Sequence, residues 1–178
     1  TKYSTDEGLV QSQVMCMVQD NRGYLWLGTH RGVDRFDGQK FKHFGIQEGL
    51  AGNFVADIVE DGERTFWIAT DNGLSLFDGL KFKNFGSEEG FSENTIECLA
   101  MDPNGYLWLG TQSKGLMAFD REERMVKDLD LPGRLVNQGI TALTWDSQGQ
   151  LWIGTRSGLW MRDKRGEFHK VSHPKLPA

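Results

Sequence analysis

The sequence predicts an all-β protein: a β-propeller of four blades, each of four antiparallel strands, belonging to a larger ring of seven or eight blades. Three observations predict it. Trp26, Trp67, Trp108 and Trp152 recur at spacings of 41, 41 and 44 residues. Each lies in the same run, Asp20 to Thr29, Asp61 to Thr70, Asp102 to Thr111 and Asp146 to Thr155, with Trp six places after the Asp. Four short apolar runs per unit, separated by turn signals, match a propeller blade. No segment sustains the 3.6-residue apolar period of a helical solenoid.

Taken in order, the first run of a unit (Val14 to Gln19, Ile96 to Met101) reads as a buried strand. Asp-x-x-Gly then turns the chain, the Asp side chain accepting backbone N–H groups and the Gly supplying positive φ. The second strand is Leu25 to Thr29 and its equivalents. A third follows at Val33 to Phe36 or Leu74 to Phe77, closed by Asp37-Gly38 or Asp78-Gly79, a strong hairpin dipeptide. The fourth is Phe41 to Phe44, Phe82 to Phe85 or Phe168 to Val171. Unit 2 departs at its turn, where Arg64 replaces the Gly and Gly62 is displaced, and at Ala69, which replaces the Gly after Trp-Ile. That turn is expected to differ in type, or to hold Arg64 in a left-handed conformation. Unit 4 departs at Arg162, which stands where the other third strands have Phe, and at Arg134.

The expected boundaries are residues 1–4 as the last strand of a preceding blade, 5–46 as blade 1, 47–87 as blade 2, 88–131 as blade 3, 132–173 as blade 4, and 174–178 as the start of a next unit or a tail. Tyr3 precedes Leu9 by the same interval as Phe44 precedes Leu50, which suggests the first assignment. An isolated set of four blades is expected to form an open arc, exposing apolar residues around Val14 and Leu159. Two such arcs meeting head to tail would close an eight-blade ring.

Composition narrows the function. The 178 residues carry a net charge of −5, with basic residues scattered singly, which argues against a nucleic-acid partner. No apolar run approaches the roughly 18 residues of a membrane span. Cys16 and Cys98 occupy equivalent first-strand positions two blades apart, too far for a disulfide, and are expected to be free buried thiols. His30, His43, His169 and His173 show no zinc spacing, and no phosphate loop or nucleophile motif is present. No catalytic residue, metal or cofactor is assigned.

The run Val-x5-Asp-x-x-Gly-x-Leu-Trp-Leu/Ile-Gly-Thr-x-x-Gly-Leu-x-x-Phe-Asp, followed by an aromatic strand and Glu-Gly-Leu, resembles the two-component regulator propeller repeat. The resemblance covers essentially the whole chain. It implies tandem propellers that form the periplasmic sensor of bacterial hybrid histidine kinases or diguanylate cyclases, followed in that family by a small β-sandwich, a membrane helix and a cytoplasmic output module. It further implies a non-catalytic module that senses a nutrient-derived ligand, often a polysaccharide fragment. Streptogramin lyases share a similar turn motif, so a propeller lyase or hydrolase is one alternative; a protein-interaction scaffold is another.

Residues that recur in every unit, such as the turn Asp, the Thr and the Trp, are explained by what each blade needs. Function is therefore sought where units differ. The loops between second and third strands carry His30 and Arg31, Asp71 and Asn72, Gln112, Ser113 and Lys114, and Arg156 and Ser157; the loops entering the first strands add Gln11 and Ser12, Asn53, Asn94 and Gln138. These are candidate contacts to a small polar ligand, such as an oligosaccharide. Asp57 and Glu97 on the innermost strands are further candidates, because an acid there requires hydration or a partner.

Overall fold

The computed structural model describes residues 2–62, 65–102 and 104–171. Within them lie four sheets of four antiparallel strands, each a simple meander. Blade 1 holds β1 (Val14–Gln19), β2 (Leu25–Thr29), β3 (Gly32–Phe36) and β4 (Phe41–Phe44). In blade 2 the strands are β5 (Val55–Glu60), β6 (Phe66–Thr70), β7 (Gly73–Phe77) and β8 (Phe82–Phe85). Blade 3 comprises β9 (Ile96–Met101), β10 (Tyr106–Thr111), β11 (Leu116–Asp120) and β12 (Met125–Lys127). Blade 4 is β13 (Ile140–Trp145), β14 (Leu151–Thr155), β15 (Gly158–Arg162) and β16 (Phe168–Lys170).

The recurring residues hold each blade together internally. Asp20 accepts from the backbone N–H of Arg22 at 3.0 Å and of Tyr24 at 2.9 Å, while its other oxygen accepts from Trp26 Nε1 at 3.1 Å. The indole bond repeats as Trp67–Asp61 (2.9 Å), Trp108–Asp102 (3.1 Å) and Trp152–Asp146 (2.9 Å). Thr29, Thr70, Thr111 and Thr155 donate to the carbonyl of Gly32, Gly73, Gly115 and Gly158. In the turn of unit 2 Gly62, directly after the Asp, has a positive φ (76°), as do the glycines at the third place of the other turns, Gly23 (87°), Gly105 (105°) and Gly149 (74°). The turn of unit 2 therefore differs from that of unit 1 at the residue after the Asp; Arg64 itself lies outside the described residues.

Packing between blades supplies the core. Three apolar clusters correspond to the three junctions: Trp26 and Phe44 against Phe66 and Phe77, Trp67 and Phe85 against Phe119, and Trp108 with Leu135 against Ile140, Ile153 and Trp160. At these junctions the first strand-1 residue is sealed, with Val55 0%, Ile96 1% and Ile140 0% exposed. Gly28 makes that contact possible, since a Cβ there would lie 2.7 Å from Val55 Cγ1. Gly110 repeats it against Ile140. At the ends, by contrast, Val14 is 38% and Leu159 40% exposed, so the four blades form an open arc.

Residues 2–4 contain no strand; Ser4 instead caps the 3-10 turn Thr5–Glu7. The ring of Tyr3 nevertheless repeats the role of Phe44. It lies 4.7 Å from Phe36 and 6.0 Å from Phe41, as Phe44 lies 5.3 Å from Phe77 and 6.0 Å from Phe82. Thr1 and the expected next unit at 174–178 fall outside the described residues.

Candidate functional site

The loops between second and third strands and the loops entering the first strands share one rim, joined by a recurring backbone bond. Asp71 N donates to Phe54 O, Gln112 N to Thr95 O and Arg156 N to Gly139 O. A β-bulge interrupts each innermost strand just below this rim, at Met15, Ala56, Glu97 and Thr141. Bulges re-aim side chains, and here they bring one residue per blade out of the regular alternation.

The candidate residues divide into those already committed and those left over. Asp57 belongs to the first group: its two oxygens accept from Leu99 N (2.8 Å), on the next blade, and from Ile58 N (2.9 Å). It works as a tie between blades 2 and 3. Burial raises its pKa, against the opposing effect of those two N–H bonds. Asp71 accepts from Phe54 N, and Asn72 donates to Ala51 O at 3.0 Å. His30 lies against Phe54, ring centroids 4.5 Å apart, with Nε2 3.2 Å from Met15 Sδ. Among the described residues, the side chains of Arg31, Glu97, Gln112, Lys114 and Arg156 make no hydrogen bond or ion pair. These five form the uncommitted part of the rim.

Glu93 escaped the sequence reading. Its carboxylate accepts from Ser113 N (2.7 Å), Ser113 Oγ (3.0 Å) and Lys114 N (3.0 Å), fixing the loop that carries Gln112 and Lys114. Burial pushes its pKa up, but the bonds from Ser113 and Lys114 outweigh this and leave it below the usual range.

Elsewhere, Asp163, Glu167 and His169 bring ligand atoms within 4.8 Å of one another on an exposed hairpin. Asp163 there accepts from the backbone of Arg165 and Glu167 and pairs with His169 Nε2 at 3.1 Å, the ordinary closure of a turn. Both cysteines are free, and burial, reinforced by the Asp57 charge, pushes each thiol up to about 12.

Comparison with known proteins bears on the fold and the repeat. The model for the two component regulator propeller matches residues 8–31, 90–113 and 134–157, leaving out unit 2, whose turn and Ala69 depart from the pattern. A 40-residue stretch is 45% identical to histidine kinase P4 of Formosa agariphila, covering 22% of this chain and 3% of that protein. Among solved structures, the extracellular domain of a hybrid two component system from B. thetaiotaomicron superposes with a TM-score of 0.78 at 22% identity, over 96% of this chain and 23% of that one. Virginiamycin B lyase from Staphylococcus aureus gives 0.71 at 15% identity, over 94% and 58%. At such identities the likeness to solved structures concerns the propeller fold alone, and this chain spans about a quarter of the first one's length. With the Asp–Trp turn and four-stranded sheet in place in each of them, units 1, 3 and 4 of this chain are two-component regulator propeller repeats.

Proposed function

We propose that this chain is part of the ligand-recognising propeller of a periplasmic sensor, which reports a small polar ligand, such as an oligosaccharide, to a signalling output and performs no chemistry of its own. The observation that carries the reading is the contrast on the rim. Recurring Asp, Thr and Trp side chains are consumed in holding the blades, while Arg31, Glu97, Gln112, Lys114 and Arg156 differ from blade to blade and are uncommitted. Mixed donors and acceptors over a rigid scaffold suit a polar ligand. No helix among the described residues is long and apolar enough to cross a membrane.

A thermal-shift screen of neutral and charged oligosaccharides tests this reading, since a ligand that binds only the folded state raises Tm with concentration. A hit is expected to weaken on Gln112→Ala or Lys114→Ala and to be unaffected by Leu80→Ser, an exposed position far from the rim. A screen in which rim substitutions leave every hit unchanged refutes it.

The reading extends to self-association of the isolated arc. Val14 at one end has the form of the Val55 and Ile140 that seal interior junctions, and Gly154 at the other end repeats Gly28 and Gly110 with no neighbouring blade against it. Two arcs meeting head to tail would pair these surfaces twice. Sedimentation at micromolar concentration is expected to show a species of twice 20.2 kDa that Val14→Asp dissociates. A compact monomer at all concentrations defeats this part.

A further inference from the structure

The third junction is built differently from the other two, and a cavity of about 510 Å³ opens there, away from the rim described above. In the first junction Phe77 fills the space, 5.6 Å from Trp26 and 5.3 Å from Phe44. In the second, Phe119 does so, 5.7 Å from Trp67 and 5.1 Å from Phe85. Strand register shows what replaces them. Phe77 pairs with Phe66 and Phe119 with Leu107, and the same place opposite Leu151 is taken by Arg162. Opposite Trp108 stands Ala118, where Trp26 and Trp67 face Arg35 and Leu76. Where Phe44 and Phe85 set their carbonyls against Gly32 and Gly73, Leu135 sets its own against Gly115, and Leu129 lies partly buried beside it. A polar arginine in place of Phe, together with smaller side chains at the other two places, thus leaves volume open at one junction.

What lines the opening has a definite chemistry. The Arg162 guanidinium lies 5.0 Å over the Trp108 ring and 5.9 Å from Phe168, and makes no ion pair or hydrogen bond among the described residues. Tyr106 and Leu129 complete an apolar wall, and Lys164 adds a second cation from the hairpin above. Two carboxylates are also present. Asp102 is spent on its turn and on Trp108 Nε1, and Asp128 is exposed at the edge. Lys127 is held by Glu123 and by Asp120 at 3.6 Å. Within the aromatic cluster behind the wall, the buried indole nitrogen of Trp145 has no hydrogen-bond partner among the described residues, its ring 6.4 Å from that of Trp108. A half-buried arginine without a counter-ion, lying on an aromatic face in a cavity of this size, is arranged for a ligand with a flat or sugar-like body and an oxyanion.

We propose that the cleft between blades 3 and 4 is a second binding site, taking a carboxylate or sulfate group on a sugar-sized body, with Arg162 as the anion contact and Trp108 and Tyr106 as the platform. The site goes beyond the rim reading and stands whether or not the rim binds anything. It implies an exchange: Phe at position 162 would fill the junction as it does elsewhere in the chain, so Arg162 gives up stability for recognition.

Indole ¹⁵N–¹H spectra of the chain, titrated with glucuronate, glucose 6-sulfate and glucose, test the proposal. Glucuronate or the sulfate ester is expected to shift the Trp108 and Trp145 resonances, and the two arms distinguish carboxylate from sulfate; glucose is expected to bind at least tenfold more weakly. Arg162→Phe is expected to abolish those shifts and raise Tm by about 2–4 °C. Arg162→Lys keeps the charge and should retain binding, weakened several-fold. The proposal is overturned if neither anion shifts the two indoles, if glucose binds as well as both anions, or if Arg162→Phe binds within twofold of the parent chain.

Discussion

Trp26 and Trp152 occupy the same place in their blades and make the same indole bond to the turn Asp, yet Trp26 is fully buried and Trp152 is not. Val55 and Val14 differ in the same way, one sealed by a preceding blade and the other bare. The difference teaches that a blade of this chain closes its recurring hydrogen bonds by itself but not its apolar burial. Backbone pairing, the Asp–Trp bond and the Thr–Gly bond are all satisfied within a single sheet. Burial, which is the dominant favourable contribution to folding, is satisfied only where two sheets meet. The junction is therefore the unit of stability, as in other arrays whose repeats contact only their neighbours.

Trp26→Ala, set beside Trp152→Ala, should break this comparison most visibly. Emptying the sealed junction is expected to cost about 3–5 kcal/mol in urea unfolding. The change in blade 4 should cost less than half as much, because the indole there covers no further blade. Equal losses would mean that stability resides within blades. Next in size is the close approach at the glycines. Gly28→Ala drives a methyl into Val55 and the Cys16 thiol, and overpacking of this kind costs about 1–3 kcal/mol. Gly154→Ala meets Ala142 Cβ at 3.3 Å, Thr141 Oγ1 at 3.5 Å and Ala142 N at 3.6 Å, all within its own blade, and should fall within about 0.5 kcal/mol of the parent.

Asp57 sharpens the comparison at a polar junction. Its pKa is raised in the folded chain, so the folded state holds this proton more firmly than the unfolded state does. Its contribution is complete below the ordinary value of 3.8 and is lost as pH rises through the folded value. Asp57→Asn should remove that decline and leave a curve that is flatter on its acid side. Since a protonated carboxyl and an amide each offer a single carbonyl oxygen to the two N–H groups, the variant should match the parent within about 0.5 kcal/mol at low pH. Stability measured from pH 3 to 8 decides it; parallel curves for the two proteins would show that Asp57 does not titrate with folding.

Much of this architecture is legible in the residues because the pattern occurs four times, and repetition separates scaffold from ornament. The strand order, the Asp turns and the displaced Gly62 follow from the period and from glycine chemistry. The indole bond does not, since a Trp six residues after an Asp carries no mark of which donor meets the carboxylate. Arg124 (φ 60°) and Asn137 (φ 55°) adopt left-handed backbone where no Gly announces it. The rim is harder still. Asp71, Asn72 and Gln112 look alike as polar loop residues, but the first two spend their side chains on Phe54 N and Ala51 O and the third does not. Such a division depends on distances, which a single sequence does not carry. Arg162 is visible as an oddity in unit 4. The opening it faces also needs Ala118 and Leu129, and Leu129 follows the short strand β12, whose pattern is the weakest of the fourth strands.

Cys16 and Cys98 sit against Gly28 and Gly110 at equivalent inter-blade positions, and a thiol whose pKa stands near 12 is almost never the nucleophilic form. Oxidants and disulfide-exchange catalysts act on that form, so neither sulfur offers them a practical target. Burial and a neighbouring carboxylate thus favour the protonated form of both unpaired thiols in the folded chain.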